Sequence, residues 1–173
     1  RSRGLGDVYK RQLYSIITLM AIAMLFPITA FAQAYVQTWD LVDSGKHLDY
    51  DGNSTYMSYI NTGAATWNAY KSGVIRKDSA FVVEDVYVSD VNASNGWAGM
   101  TYSSGKIELN TYYMSGYSNS KKQNVATHEL GHALGLDHST STDVMDAAIT
   151  GHTSTQALSQ NDKDSYDAAY NNY

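Results

Sequence analysis

Three of the chain's five histidines fall within eleven residues, at His128, His132 and His138, and their spacing constrains the fold more than any other feature. Two histidines four residues apart lie one turn apart on the same helix face, so both imidazoles can reach one metal ion. Glu129 follows the first histidine directly. This places its carboxylate beside the open coordination position, where it can take a proton from a water molecule. Gly135 permits a positive φ that ends the helix and turns the chain back, bringing His138 round as a third ligand. Three neutral imidazoles leave a zinc ion doubly positive with one position free, the layout of a catalytic rather than a structural site. The bland alternative is a solvated helix face carrying His-Glu-x-x-His by coincidence. The glycine and third histidine at fixed offsets argue against it.

The rest of the chain is consistent with one exported domain. Residues 1–12 match no structural period and the first residue is not Met, so they read as a non-native or truncated start. The segment 13–32 carries an apolar run from Ile16 to Phe26 behind Lys10 and Arg11, then Pro27 and Ala30-Phe31-Ala32. A basic flank, a short apolar core and a small-x-small site read as a signal peptide cut after Ala32, so the protein is expected to be secreted and extracellular. The competing reading is an uncleaved membrane anchor over Leu13–Ala32, displaying the same domain at the cell surface. Residues 33–173 are then a single domain with eight basic and sixteen acidic residues. That balance argues against nucleic acid or an anionic membrane as partner. With no Cys, stability rests on core packing and bound metal.

Periodicity supplies the elements. Leu48 and Tyr50 mark a strand before a turn at Asp51-Gly52-Asn53. Ser54 or Thr55 caps a helix carrying Met57, Ile60, Ala64 and Trp67. Strands are expected at Val74-Ile75, Phe81–Val88, Trp97–Tyr102 and Lys106–Asn110, the last two joined by Ser103-Ser104-Gly105. A helix from Ser118 or Ser120 to about Leu134 carries the first two histidines. Ser159 with Asp162 forms a capping box for a last helix through about Tyr170.

The string from His128 to Ser139 resembles the extended zinc signature of the metzincin clan, and most closely its matrixin branch. Met145, seven residues after His138, resembles the methionine of the Met-turn, an apolar floor beneath the zinc ligands. Asp162 matches the carboxylate that braces that turn. The resemblance implies an α/β (α+β) fold: a twisted, mostly parallel sheet of about five strands, an active-site helix, a C-terminal helix and a zinc cleft between upper and lower subdomains. It implies a zinc endopeptidase, one catalytic Zn2+, Glu129 as general base, and an extended polypeptide substrate added to the edge strand at Trp97, Ala98, Gly99 and Met100. Calcium is a further family cofactor, but the carboxylates alone place no site for it. A monomer is expected. The chain departs from the family in having Asp146-Ala147 after the methionine instead of Tyr-Pro, and Asn161 where the family has a second carboxylate. The alternative from another class is a zinc-binding module without proteolytic activity; its usual mark, loss of the base, is missing here because Glu129 is present. His47 and His152 read as surface or packing residues.

Overall fold

In the computed structural model, residues 33–79 and 83–173 are described. The start at 1–12, the apolar segment Leu13–Ala32 and part of one expected strand, Phe81-Val82, lie outside them. Among the described residues no helix is long and apolar enough to cross a membrane.

Five strands form one sheet: β1 (Leu48–Gly52), β2 (Ile75–Lys77), β3 (Val86–Val91), β4 (Gly99–Tyr102) and β5 (Lys106–Asn110), in the order β2-β1-β3-β5-β4. All neighbours run parallel except β4, which pairs antiparallel with β5 and lies at the sheet edge. Helices α1 (Met57–Asn68), α2 (Thr111–Met114), α3 (Asn119–Ala133) and α4 (Gln160–Tyr170) complete the fold. The metzincin-like α/β architecture expected from the sequence is the one observed.

Alternation along the strands decides which sheet face is dry. Leu48 and Tyr50, Val86 and Val88, and Ile107 and Leu109 are all buried, each two residues from its pair and hence on one face. They form one core with Ile60, Ala64 and Trp67 of α1 and Ala126, Leu130 and Ala133 of α3. Tyr87, between Val86 and Val88, and Tyr102 on β4 are exposed. The two long helices pack closely: a side chain on Gly63 would meet Thr127 and Leu130, and the Trp67 indole N–H donates to the Thr127 carbonyl at 2.9 Å.

Three local expectations are corrected. Gly52 is not a turn residue but the last residue of β1, where its missing side chain lets the Val88 backbone approach. The cap position of α1 is Tyr56, and Ser54 instead accepts from the Tyr56 amide while bonding Asp90. Over the described residues, the strand expected from Phe81 begins at Val86, and Val83 ahead of it stands 84% exposed.

Candidate active site

Helix α3 is capped by Ser118, whose hydroxyl accepts from the Lys121 amide, and ends before Gly135 at φ 84°. From Gln123 to Ala133 every residue is buried, including Gln123, Asn124, Thr127, His128, Glu129 and His132. Burying so many polar side chains is unfavourable unless each has a partner. Gln123 donates to the Tyr59 carbonyl, and the Asn124 amide both donates to the Ser154 carbonyl and accepts from the Gln156 amide. The helix is therefore enclosed by α1, the sheet and the C-terminal segment.

The three histidines converge through their Nε2 atoms. His138 Nε2 lies 3.3 Å from His128 Nε2 and 3.2 Å from His132 Nε2. His128 Nδ1 is 2.8 Å from the Val144 carbonyl, and His132 Nδ1 is 2.8 Å from the Leu136 carbonyl. A carbonyl oxygen accepts only from a protonated nitrogen, so both rings carry their proton on Nδ1 and present a bare Nε2 lone pair to the centre. Lone pairs facing one another at this distance repel unless a shared proton or a cation lies between them. A tetrahedral zinc with bonds of about 2.0–2.1 Å requires donor atoms about 3.4 Å apart. The donor set fits zinc. Burial, with the neighbouring imidazoles, pushes His128 down to about 3, and burial with His138 alongside pushes His132 down to about 4. Both rings are thus neutral and free to ligate at physiological pH.

Glu129 sits between α3 and β4. The Thr101 hydroxyl is 2.7 Å from its Oε2 and 2.9 Å from its carbonyl oxygen. A β-carbon on Gly99, two residues earlier on the same strand face, would stand 2.5 Å from Oε1. Burial pushes the carboxyl up to about 7, against the lowering effect of the Thr101 hydroxyl. A cleft of about 360 Å³ is bordered by the three histidines and Glu129 on one side and by Trp97, Ala98, Gly99, Met100 and Thr101 on another; Val125, Ala147 and Ile149 add apolar wall.

Met145, 1% exposed, places its sulfur against Gly131, between the two helical histidines in sequence. Asp162 fixes this turn, accepting from the amides of Val144 at 2.9 Å and Met145 at 3.1 Å while its capping box closes on Ser159 at 2.8 Å. Asn161 donates to Asp143 at 3.2 Å. Asp143 is fully buried, yet hydrogen bonds from Ser159 first, then Thr140, Ser139 and Asn161, outweigh that burial and hold it at about 2. Sequence reasoning missed two contacts. His152 Nε2 lies 2.8 Å from Asp146, tying down the loop that carries Ala147 and Ile149, and the Gln37 amide reaches His132 Nδ1 at 3.0 Å. Neither follows a spacing rule, since both depend on how irregular segments fold back. His47 stays near the surface beside Asp43.

Comparison with known proteins follows the same lines. The family model described as Matrixin matches residues 29–171. Among solved structures, archaemetzincin from Methanopyrus kandleri is similar at a TM-score of 0.53 and 12% identity, over 75% of this chain and 99% of that one. High choriolytic enzyme 1, a hatching-enzyme zinc protease from Oryzias latipes (medaka fish), aligns at 21% identity over 58% of this chain and 50% of that one, with a TM-score of 0.34. A search of curated proteins returns no significant match. At 12% identity the archaemetzincin likeness speaks to the fold alone.

Proposed function

The chain belongs to the matrixin family of zinc metalloendopeptidases, and from that premise we propose that it cleaves extended polypeptides outside the cell with Glu129 as general base. The observation that carries this reading is the placement of Glu129. Its carboxylate is clamped by Thr101 and Gly99 in the same cleft into which three imidazoles direct their Nε2 atoms. His128, His132 and His138 would hold the ion, which when bound supplies a Lewis acid for the scissile carbonyl.

Each protein group then has a defined task. Strand β4 lies at the sheet edge beside the cleft, so an extended peptide can add to it through main-chain hydrogen bonds. Such pairing orients the scissile bond while reading little of its sequence. Glu129 removes a proton from the attacking water and returns it to the leaving amine. Apolar Val125, Ala147 and Ile149 offer a side pocket for one substrate residue. Export rests on the sequence of residues 13–32, and a monomer is the simplest assembly consistent with a self-contained site.

The test is hydrolysis of an unstructured peptide pool by the zinc-loaded chain beside Glu129→Ala. Cleavage by the parent alone supports the assignment. Equal cleavage by both would remove Glu129 from the role, and zinc binding without any cleavage would leave a binding module.

A further inference from the structure

We propose that Gln37 is a positioning residue for the metal site, accepting through Oε1 a hydrogen bond from His132 Nδ1–H. The inference rests on the zinc reading above and adds a residue that lies far from the His128–His138 string.

The argument begins with an incompatibility. His132 Nδ1 donates to the Leu136 carbonyl at 2.8 Å and so carries the proton. The Gln37 amide nitrogen stands 3.0 Å from that same Nδ1, while Gln37 Oε1 is buried with no partner among the described residues. Two N–H groups facing each other repel, and an orphaned buried carbonyl adds a further cost. A half-turn of the amide exchanges its oxygen and nitrogen with almost no change in shape. Oε1 then accepts from Nδ1–H, which is shared between two carbonyl oxygens.

The backbone makes the contact specific. Residues 35–41 form a strap across the loop bearing the third ligand. The Gln37 amide donates to the Gly135 carbonyl at 2.7 Å, the Asp137 amide to the Tyr35 carbonyl at 2.9 Å, and the Leu41 amide to the Ala133 carbonyl at 2.9 Å. Val36 bridges Leu136, and the Tyr35 amide donates to the Ser165 hydroxyl. Gln37 is thus held where α3 ends, and its side chain fixes the ring orientation and tautomer of His132. An acceptor on the far nitrogen of a ligating histidine also strengthens the ligand.

Zinc affinity is read by chelator competition on the full chain, comparing the parent with Gln37→Leu and Gln37→Glu, with circular dichroism as the fold control. Gln37→Leu is expected to weaken zinc about 10–100-fold. Gln37→Glu keeps an acceptor at the same reach and is expected to hold affinity near or above the parent's. Equal affinity in Gln37→Leu and the parent overturns the proposal. So does equal loss in both variants, because it would trace the effect to the strap and not to the acceptor. If Gln37→Leu fails to fold, the Glu variant decides alone: retained affinity supports the acceptor and a loss overturns it. A parent that binds no zinc would overturn the zinc reading itself.

Discussion

Gly99 on β4 and Glu129 on α3 pack so closely that a β-carbon on the glycine would stand 2.5 Å from the Glu129 carboxylate oxygen and 2.7 Å from its Cγ. The strand thus fixes the general base by lacking a side chain. Gly99→Ala must push the carboxylate aside, and a displacement of about 1 Å at a reacting group can cost about 10²-fold in rate. The nearest atoms all belong to Glu129, so the histidines are undisturbed. The expected outcome is a kcat lower by about two orders of magnitude with zinc content unchanged, measured by steady-state kinetics and metal analysis. Loss of zinc together with activity would show that the clash spreads into the ligand set.

Burial holds the Glu129 carboxyl at about 7 in place of 4.5. In the metal-free protein the folded state binds that proton more tightly than the unfolded chain does. The group therefore favours folding below the unfolded value, and this contribution is lost as the pH rises through about 7. A shift of this size corresponds to roughly 3 kcal/mol. With chelator present, Glu129→Gln should melt above the parent near about pH 8, by roughly 5–10 °C for a chain of this length, and the gap should close near about pH 4. In the loaded enzyme the carboxyl must be ionised to accept a proton, and the cation lowers its pKa. There kcat/KM should fall on the acid side with an apparent pKa below about 7, which a pH–rate profile reads.

The sequence made the histidine string legible because helix periodicity and a glycine stop act locally. Gly135 at φ 84° and the capping box at Ser159 are such local devices, and both were readable. The extent of β1 and β3 was not. Whether Gly52 pairs or turns depends on Val88, 36 residues away, and propensity carries no information about that partner. Gln37 and His152 were illegible for the same reason, because each contacts the site through an irregular segment whose path is set by tertiary packing. The burial of Gln123, Asn124 and Thr127 was equally illegible, because a helix this polar reads as solvent-facing until Tyr59, Ser154 and Gln156 fold round it as partners.

Gly131 separates the two helical histidines, and an alanine would ordinarily stabilise a helix interior by about 1 kcal/mol. Here a β-carbon would overlap the Met145 sulfur and lie 2.9 Å from Trp67 Cζ2. Met145 is flexible enough to retreat, but the Trp67 ring is fully buried and fixed by its bond to Thr127. Overpacking of this kind costs about 1–3 kcal/mol, which outweighs the propensity gain. Gly131→Ala should therefore unfold at lower denaturant concentration than the parent. A rise in stability would show that Trp67 and Met145 yield.

Asp162 is joined to the metal site through a single residue, Val144. Its Oδ2 accepts from the Val144 amide, and the carbonyl of the same residue accepts from His128 Nδ1 at 2.8 Å. The carboxylate also satisfies the amides of Met145 and Ser159, and it is 1% exposed. Removing it leaves three donors without a partner, each costing about 1–3 kcal/mol where water cannot reach. Asp162→Ala should thus destabilise the fold by at least about 3 kcal/mol in denaturant titration. Because Val144 would be free to shift, it should also weaken zinc in chelator competition. Asp164, two residues along the same helix and bonded to Gln160 at the surface, is the control; its alanine variant should stay within about 0.5 kcal/mol of the parent. An Asp162→Ala protein with parental stability and parental zinc affinity would mean that the Met145 turn is held by something other than the C-terminal helix.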